Sequence, residues 1–166
     1  MVANFIFGLI VAQLKTATPA SAREFCAKII AETHPYAACF KPNIAFFEYF
    51  GQEGISVLHD IINLIPEDIP VILDAKRGDI DTTAQVFLDA TSCTLRNVMA
   101  NICLKAYADA AFKGTRSDSI TLSPYMGWDS ISPFVTNAYK GKGAFVLCKT
   151  SNNSSSVCNL GDIRYG

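Results

Sequence analysis

The sequence predicts a single α/β domain built on a parallel sheet, and two observations carry that prediction. Short strand-like apolar runs alternate with longer segments whose apolar residues recur at helical spacing. The strand runs are also close to continuously apolar, as expected where helices cover both faces of a sheet. A doubly wound sheet and a (β/α)8 barrel both fit this pattern.

The elements follow in order. Phe5 to Val11 reads as a first buried strand. The N-terminal run is too short for a spanning helix, which needs about 20 apolar residues. With Lys15 as its first basic residue, it also lacks the charged start of a secretory signal. Ser21 to Thr33 reads as a helix entered through "TPAS", with Ser21 as N-cap and Glu24 as its capping-box partner. "YAACF", Tyr36 to Phe40, is a second strand. A helix over Glu53 to Ile65 places Ile55, Leu58, Ile61, Ile62 and Ile65 on one face. "IPVILD", Ile69 to Asp74, is the third strand, with a helix expected after Asp79. Ser117 to Ser123 is the fourth strand. Helical material follows "GWDS", and Gly143 to Thr150 is the fifth strand.

Composition narrows the function. With 166 residues, half of them apolar, the chain can bury one core. A net charge of -1 without a basic cluster offers no footprint for nucleic acid. Cys26, Cys39, Cys93, Cys103, Cys148 and Cys158 show no C-x-x-C spacing, so they read as reduced, mostly core-filling thiols. No metal site is expected from them. The chain is expected to be soluble and cytoplasmic, with no membrane partner.

The polar residues mark one end of the sheet. Lys41, Asp74, Lys76, Ser123 and Ser151 all fall at or just past the C-terminal end of a predicted strand. In a barrel that face carries the active site. In "VILDAKRGDIDTTA", Asp74 and Lys76 stand two apart and so share a side of a regular strand. A lysine flanked by carboxylates is held protonated, which suits a cation and acid better than a Schiff-base nucleophile. The same charges could instead form a structural ion network. His34 and His59 have no ligand-spaced partners and read as surface residues, and Trp128 reads as packing at a helix start. "KGKG", Lys140 to Gly143, precedes a strand instead of opening a helix, so it reads as a turn and not as a phosphate loop.

"DAKRGDI" matches a D-x-K-x-x-D-I motif, and "FKPNIAFFE", "LSPYMGWDSI" and "LCKTSN" follow in a consistent order. Together these segments resemble the orotidine 5′-monophosphate decarboxylase family, over about residues 20–85 and 106–152. The resemblance implies a (β/α)8 barrel that converts orotidylate to uridylate in pyrimidine synthesis without metal or other cofactor. It implies that Asp74 lies against the substrate carboxylate, and that Lys76 stabilises and then protonates the carbon losing carbon dioxide. It further implies that Lys41 binds the ribose, that Ser151 contacts the pyrimidine, and that Ser123 lines the pocket. Asp79 and Thr83 match residues donated across a homodimer interface into the partner's site. A sister group of magnesium-dependent sugar-phosphate enzymes shares D-x-K-x-x-D, but the other three segments do not fit it.

Three departures from the family pattern set further expectations. Ile10 and Val11 stand where the first strand should end in an acid. Residues 86–105 resemble nothing in the family and read as an atypical insertion, either a surface loop or translated intron. Residues 153–166 form a non-family tail in place of the closing strands of a barrel of about 250 residues. The expected domain is therefore one truncated barrel over residues 1–166, with a non-catalytic truncated or mis-spliced product as the competing reading.

Overall fold

A computed structural model of the chain describes residues 2–4, 18–78, 107–150, 152 and 155. Five strands run through it: β1 (Val2–Asn4), β2 (Cys39–Lys41), β3 (Ile72–Arg77), β4 (Ser119–Leu122) and β5 (Gly143–Val146). β1 pairs with β2, and β3 pairs with β4 and β4 with β5, all in parallel. Single bridges at Phe40–Val71 and Asn43–Asp74 join the two groups, also in parallel. Every strand therefore lies beside its predecessor. A doubly wound sheet reverses its strand order at a switch point, whereas a barrel wall winds one way. Strand order thus decides between the two architectures: the fold is of the (β/α)8-barrel type, with five strands described.

The helices show why these segments fold as they do. α1 spans Pro19–Thr33, and its N-cap is Thr18, not the expected Ser21. Proline at the first helical position keeps Thr18 extended and needs no N–H partner there. The Thr18 hydroxyl accepts from the Ser21 backbone N–H at 3.2 Å, and the Thr18 N–H donates to the Ser21 hydroxyl at 2.9 Å. Ser21 is thus the reciprocal member of the capping box, and Glu24 has no part in it. At the other end, the His34 ring nitrogen lies 3.0 Å from the Ala31 carbonyl oxygen, a local capping contact. α2 is a single turn, Ala45–Glu48, and α3 spans Gly51–Leu64. Ile65, expected to be helical, is extended because Pro66 follows it.

Past residue 106 the chain is helical over 107–109 and then π-helical over Ala110–Gly114. The helix expected after "GWDS" is instead three 3-10 turns: Trp128–Ser130, Ser132–Val135 and Asn137–Tyr139. Gly127 at φ 115° and Pro133 punctuate this stretch, and extended Thr136 separates the last two turns. Trp128 opens the first turn but is 70% exposed, so it does not pack as expected.

The core joins α1 and α3 to the sheet through Cys26, Ile30, Leu58, Ile61, Phe40 and Leu73, all buried. Phe112 meets Phe134 edge to face at 6.4 Å. Each large apolar side chain buried in this way contributes about 1.5–3 kcal/mol. The Arg23–Asp60 pair, with both side chains about half exposed, contributes at most about 1 kcal/mol. Apolar burial, not surface ion pairing, holds the sheet.

Cys26 and Cys39 are buried thiols, as expected, while Cys148 is exposed. No helix among the described residues is long and apolar enough to cross a membrane. The expected first strand over Phe5 to Val11, the segment 86–105, and the tail apart from Ser155 lie outside the described residues.

Candidate active site

The C-terminal ends of β2, β3 and β4 converge on one carboxylate. Asp74 is tied to β2 by its backbone: its N–H donates to the Pro42 carbonyl at 2.9 Å, and its carbonyl accepts from the Ile44 N–H at 3.2 Å. Its side chain, 9% exposed, takes three hydrogen bonds. The Lys41 ammonium reaches Oδ2 at 2.7 Å, the Lys76 ammonium reaches Oδ1 at 2.5 Å, and the Thr121 hydroxyl lies 3.0 Å from Oδ1. Burial pushes the Asp74 carboxyl up. The hydrogen bonds from Lys41, Lys76 and Thr121, with the Lys41 charge, outweigh that penalty and leave it below the usual carboxylate value.

Asp74 and Lys76 do meet, but not through regular strand alternation. β3 continues past its expected end at Asp74 to Arg77, and its register against β4 shifts between Leu73 and Arg77. Lys76 sits within that irregularity at φ 48°, a left-handed conformation that costs a non-glycine residue about 1–2 kcal/mol. Two hydrogen bonds help to offset it: the Ala75 and Lys76 N–H groups donate to the Thr121 hydroxyl oxygen at 3.0 and 2.9 Å. The kink aims the Lys76 ammonium back at the carboxylate while leaving its side chain about half exposed at the open end.

Ser123 lies at the same end, its N–H donating to the Arg77 carbonyl at 2.8 Å. That close approach explains Gly78. A Cβ there would lie 2.4 Å from the Ser123 carbonyl oxygen, so any larger residue would push β3 and β4 apart. Arg77 turns away, pairing with Glu48 of α2 and lying 5.8 Å from the centre of the Tyr107 ring. The structure thus brings Lys41, Asp74 and Lys76 together and sets Ser123 on the same face. Asp79, Thr83 and Ser151 lie outside the described residues.

Two residues escaped the sequence reading. Thr121 is a polar residue inside an apolar strand run, and that anomaly was the available signal. Gly78 sits within the charged motif, where a glycine marks close backbone approach. Among the described residues, no group of three His, Cys, Asp or Glu side chains converges as a metal site would. A cavity of about 380 Å³, lined partly by Val71, Asp118 and Lys142, opens at the opposite end of the strands, away from this network.

The arrangement is a buried, ionised carboxylate gripping two ammonium groups, one of them facing the open end. It can hold a cation in a fixed place, stabilise negative charge developing beside it, and deliver a proton there.

Comparison with known proteins gives this chemistry a family. The family model for orotidine 5′-phosphate decarboxylase / HUMPS proteins matches residues 14–159. The orotidine 5′-phosphate decarboxylase of Roseiflexus sp. is 43% identical over 140 residues, covering 84% of this chain and 42% of its own length. That of Herpetosiphon aurantiacus is 44% identical over 138 residues, covering 82% and 43%. Among solved structures, Leishmania donovani OMP decarboxylase superimposes with a TM-score of 0.69 at 45% identity, covering 91% of this chain and 51% of that one. Leishmania donovani UMP synthase superimposes at 0.73 and 41% identity, covering 100% and 30%. The chain therefore spans less than half the length of these curated relatives. It belongs to the orotidine 5′-phosphate decarboxylase / HUMPS family.

Proposed function

We propose that this chain carries the decarboxylating centre of an orotidine 5′-monophosphate decarboxylase, acting in pyrimidine nucleotide synthesis. The observation that carries the reading is the Lys41–Asp74–Lys76 network at the C-terminal strand ends. In this reading the substrate carboxylate lies against Asp74, and the bond from C6 to that carboxylate breaks to release carbon dioxide. The electron pair left on C6 is stabilised by the Lys76 ammonium and takes a proton from it. Solvent then restores the lysine proton. Lys41 holds the ribose, Ser151 contacts the pyrimidine and Ser123 lines the pocket. Asp79 and Thr83 reach across a homodimer interface into the partner's site. The chemistry uses fixed charges throughout and calls on no cofactor.

The test is an orotidylate decarboxylation assay on the full chain without added metal, beside Lys76→Ala. Removing a group that both stabilises charge and donates the proton is expected to cost at least about 10³-fold in kcat. Activity within tenfold of wild type in the variant would overturn the assignment of Lys76. A folded wild-type chain with no turnover would overturn the proposal that this chain is itself catalytic.

A further inference from the structure

Thr121 is buried, 5% exposed, and its hydroxyl stands among three partners. A hydroxyl has one proton to give and two lone pairs to offer. The N–H groups of Ala75 and Lys76, at 3.0 and 2.9 Å, can only donate, and they occupy both lone pairs. The single proton is left for Asp74 Oδ1, 3.0 Å away. The direction of every bond in the cluster is therefore fixed by counting, with Asp74 as acceptor.

We propose that Thr121 is a positioning residue for the decarboxylating centre: one hydroxyl both pins the left-handed backbone of Lys76 and holds the Asp74 carboxylate facing it. This rests on the function proposed above for its catalytic consequence, but its structural content stands apart from it. The Lys76 ammonium has a long, flexible stem, and Asp74 could turn about its own side-chain bonds. Thr121 couples the two. It fixes the main chain from which Lys76 projects and the same carboxylate oxygen, Oδ1, that Lys76 contacts. The charged groups described around Asp74 are Lys41 from β2 and Lys76 from β3, and β4 contributes this hydroxyl. Loss of the hydroxyl removes neither ammonium group but frees the carboxylate to rotate and the kink that aims Lys76 to relax.

The experiment uses the full chain labelled with carbon-13 at aspartate carboxyls, with the Asp74 signal assigned through Asp74→Asn. In wild type, the Thr121 hydroxyl proton is expected as a slowly exchanging resonance, since a buried O–H bound to a carboxylate is shielded from water. In Thr121→Val, the Asp74 titration midpoint is expected to move upward, and kcat to fall by about 10²-fold, the effect of an ångström-scale misplacement. Thr121→Ser keeps the hydroxyl and is expected to restore both. An unshifted Asp74 midpoint in Thr121→Val overturns the proposal, as does a wild-type hydroxyl exchanging at solvent rates. If wild type shows no decarboxylation, the function above fails while the carboxyl titration still decides the role of Thr121. If Thr121→Val does not fold, the wild-type hydroxyl resonance and the Thr121→Ser midpoint carry the decision: a midpoint in Thr121→Ser that departs from wild type overturns it.

Discussion

Two aspartates stand at opposite ends of the same strands and show how placement separates chemistry from scaffolding. Asp74, at the C-terminal end, is buried and grips two lysines and a threonine. Asp118, at the N-terminal end, is 46% exposed; it accepts the Val71 N–H at 3.0 Å and one lysine, Lys142, at 3.1 Å. Both are lysine-paired carboxylates between neighbouring strands. Asp118 works in water, where its ion pair is screened, and it serves mainly to hold the start of β3 to the start of β4. Asp74 works where water is largely excluded, so its charge fixes the positions of two cations. The same residue type becomes a latch at one end and an electrostatic template at the other.

Two glycines mirror the contrast and give the largest expected effect. A Cβ on Gly78 would meet the Ser123 carbonyl oxygen, a backbone atom, at 2.4 Å. A Cβ on Gly143 would meet the Ser119 hydroxyl at 2.7 Å, a side-chain atom that can rotate away. Gly78→Ala is therefore expected to destabilise by about 3 kcal/mol, the upper range for overpacking, and Gly143→Ala by less than about 1 kcal/mol. Urea unfolding of both variants checks this. Equal costs would mean that the two ends are equally tolerant and the contrast is false.

The aspartates themselves come next. Asp74→Asn removes the charge from a network of hydrogen bonds to ammonium groups and is expected to cost about 1–3 kcal/mol at neutral pH. Asp118→Asn keeps an acceptor for Val71 and loses an exposed ion pair, for about 0.5 kcal/mol. The pH dependence sharpens the pair. The folded Asp74 carboxyl titrates below its ordinary value of 3.8, so its contribution is fully present above that value. It is lost as pH falls through the lower folded value, because the unfolded chain then binds the extra proton. Acid unfolding should thus include a step below pH 3.8 that is absent in Asp74→Asn and retained in Asp118→Asn.

The sequence carried the barrel's alternation and the position of the charged cluster, because both depend on local patterns: apolar runs, helical spacing and charges at strand ends. Lys41 and Asp74 were legible as strand-end residues even though 33 positions separate them. The kink at Lys76 was not legible, since a left-handed lysine inside a strand contradicts its own backbone preference and is imposed by β4. Thr121 was missed for the same reason. Its role exists only once two strands are in register. The capping error at Ser21 was a three-residue shift: Pro19 marked the first turn, and Thr18 was the residue it exposed as cap. Trp128 misled because "GWDS" looks like a helix start, whereas the turns that follow are too short to bury so large a ring.

A third carboxylate falls between the two and supplies the smallest expected effect. Asp109 Oδ1 accepts the Tyr139 hydroxyl at 2.7 Å and the Lys113 ammonium at 2.6 Å, and Lys113 also lies 5.7 Å from the centre of the Tyr139 ring. Burial first, then the hydrogen bond to Asp109 and its charge, push the Tyr139 hydroxyl up to about 12. A group whose folded value is raised contributes fully below its unfolded value, here 10.0, and that contribution disappears as pH rises toward 12. Cys26, raised by burial from 9.0 to about 12, adds a loss that begins lower. Tyr139→Phe is expected to cost about 0.5–1.5 kcal/mol at neutral pH for the missing hydrogen bond. It should also flatten the decline above pH 10 while leaving the decline that begins near 9. An alkaline slope unchanged by Tyr139→Phe would mean that Tyr139 has no share in the loss. Asp109 would then behave as Asp118 does, a solvent-side anchor whose charge adds only a fraction of a kcal/mol.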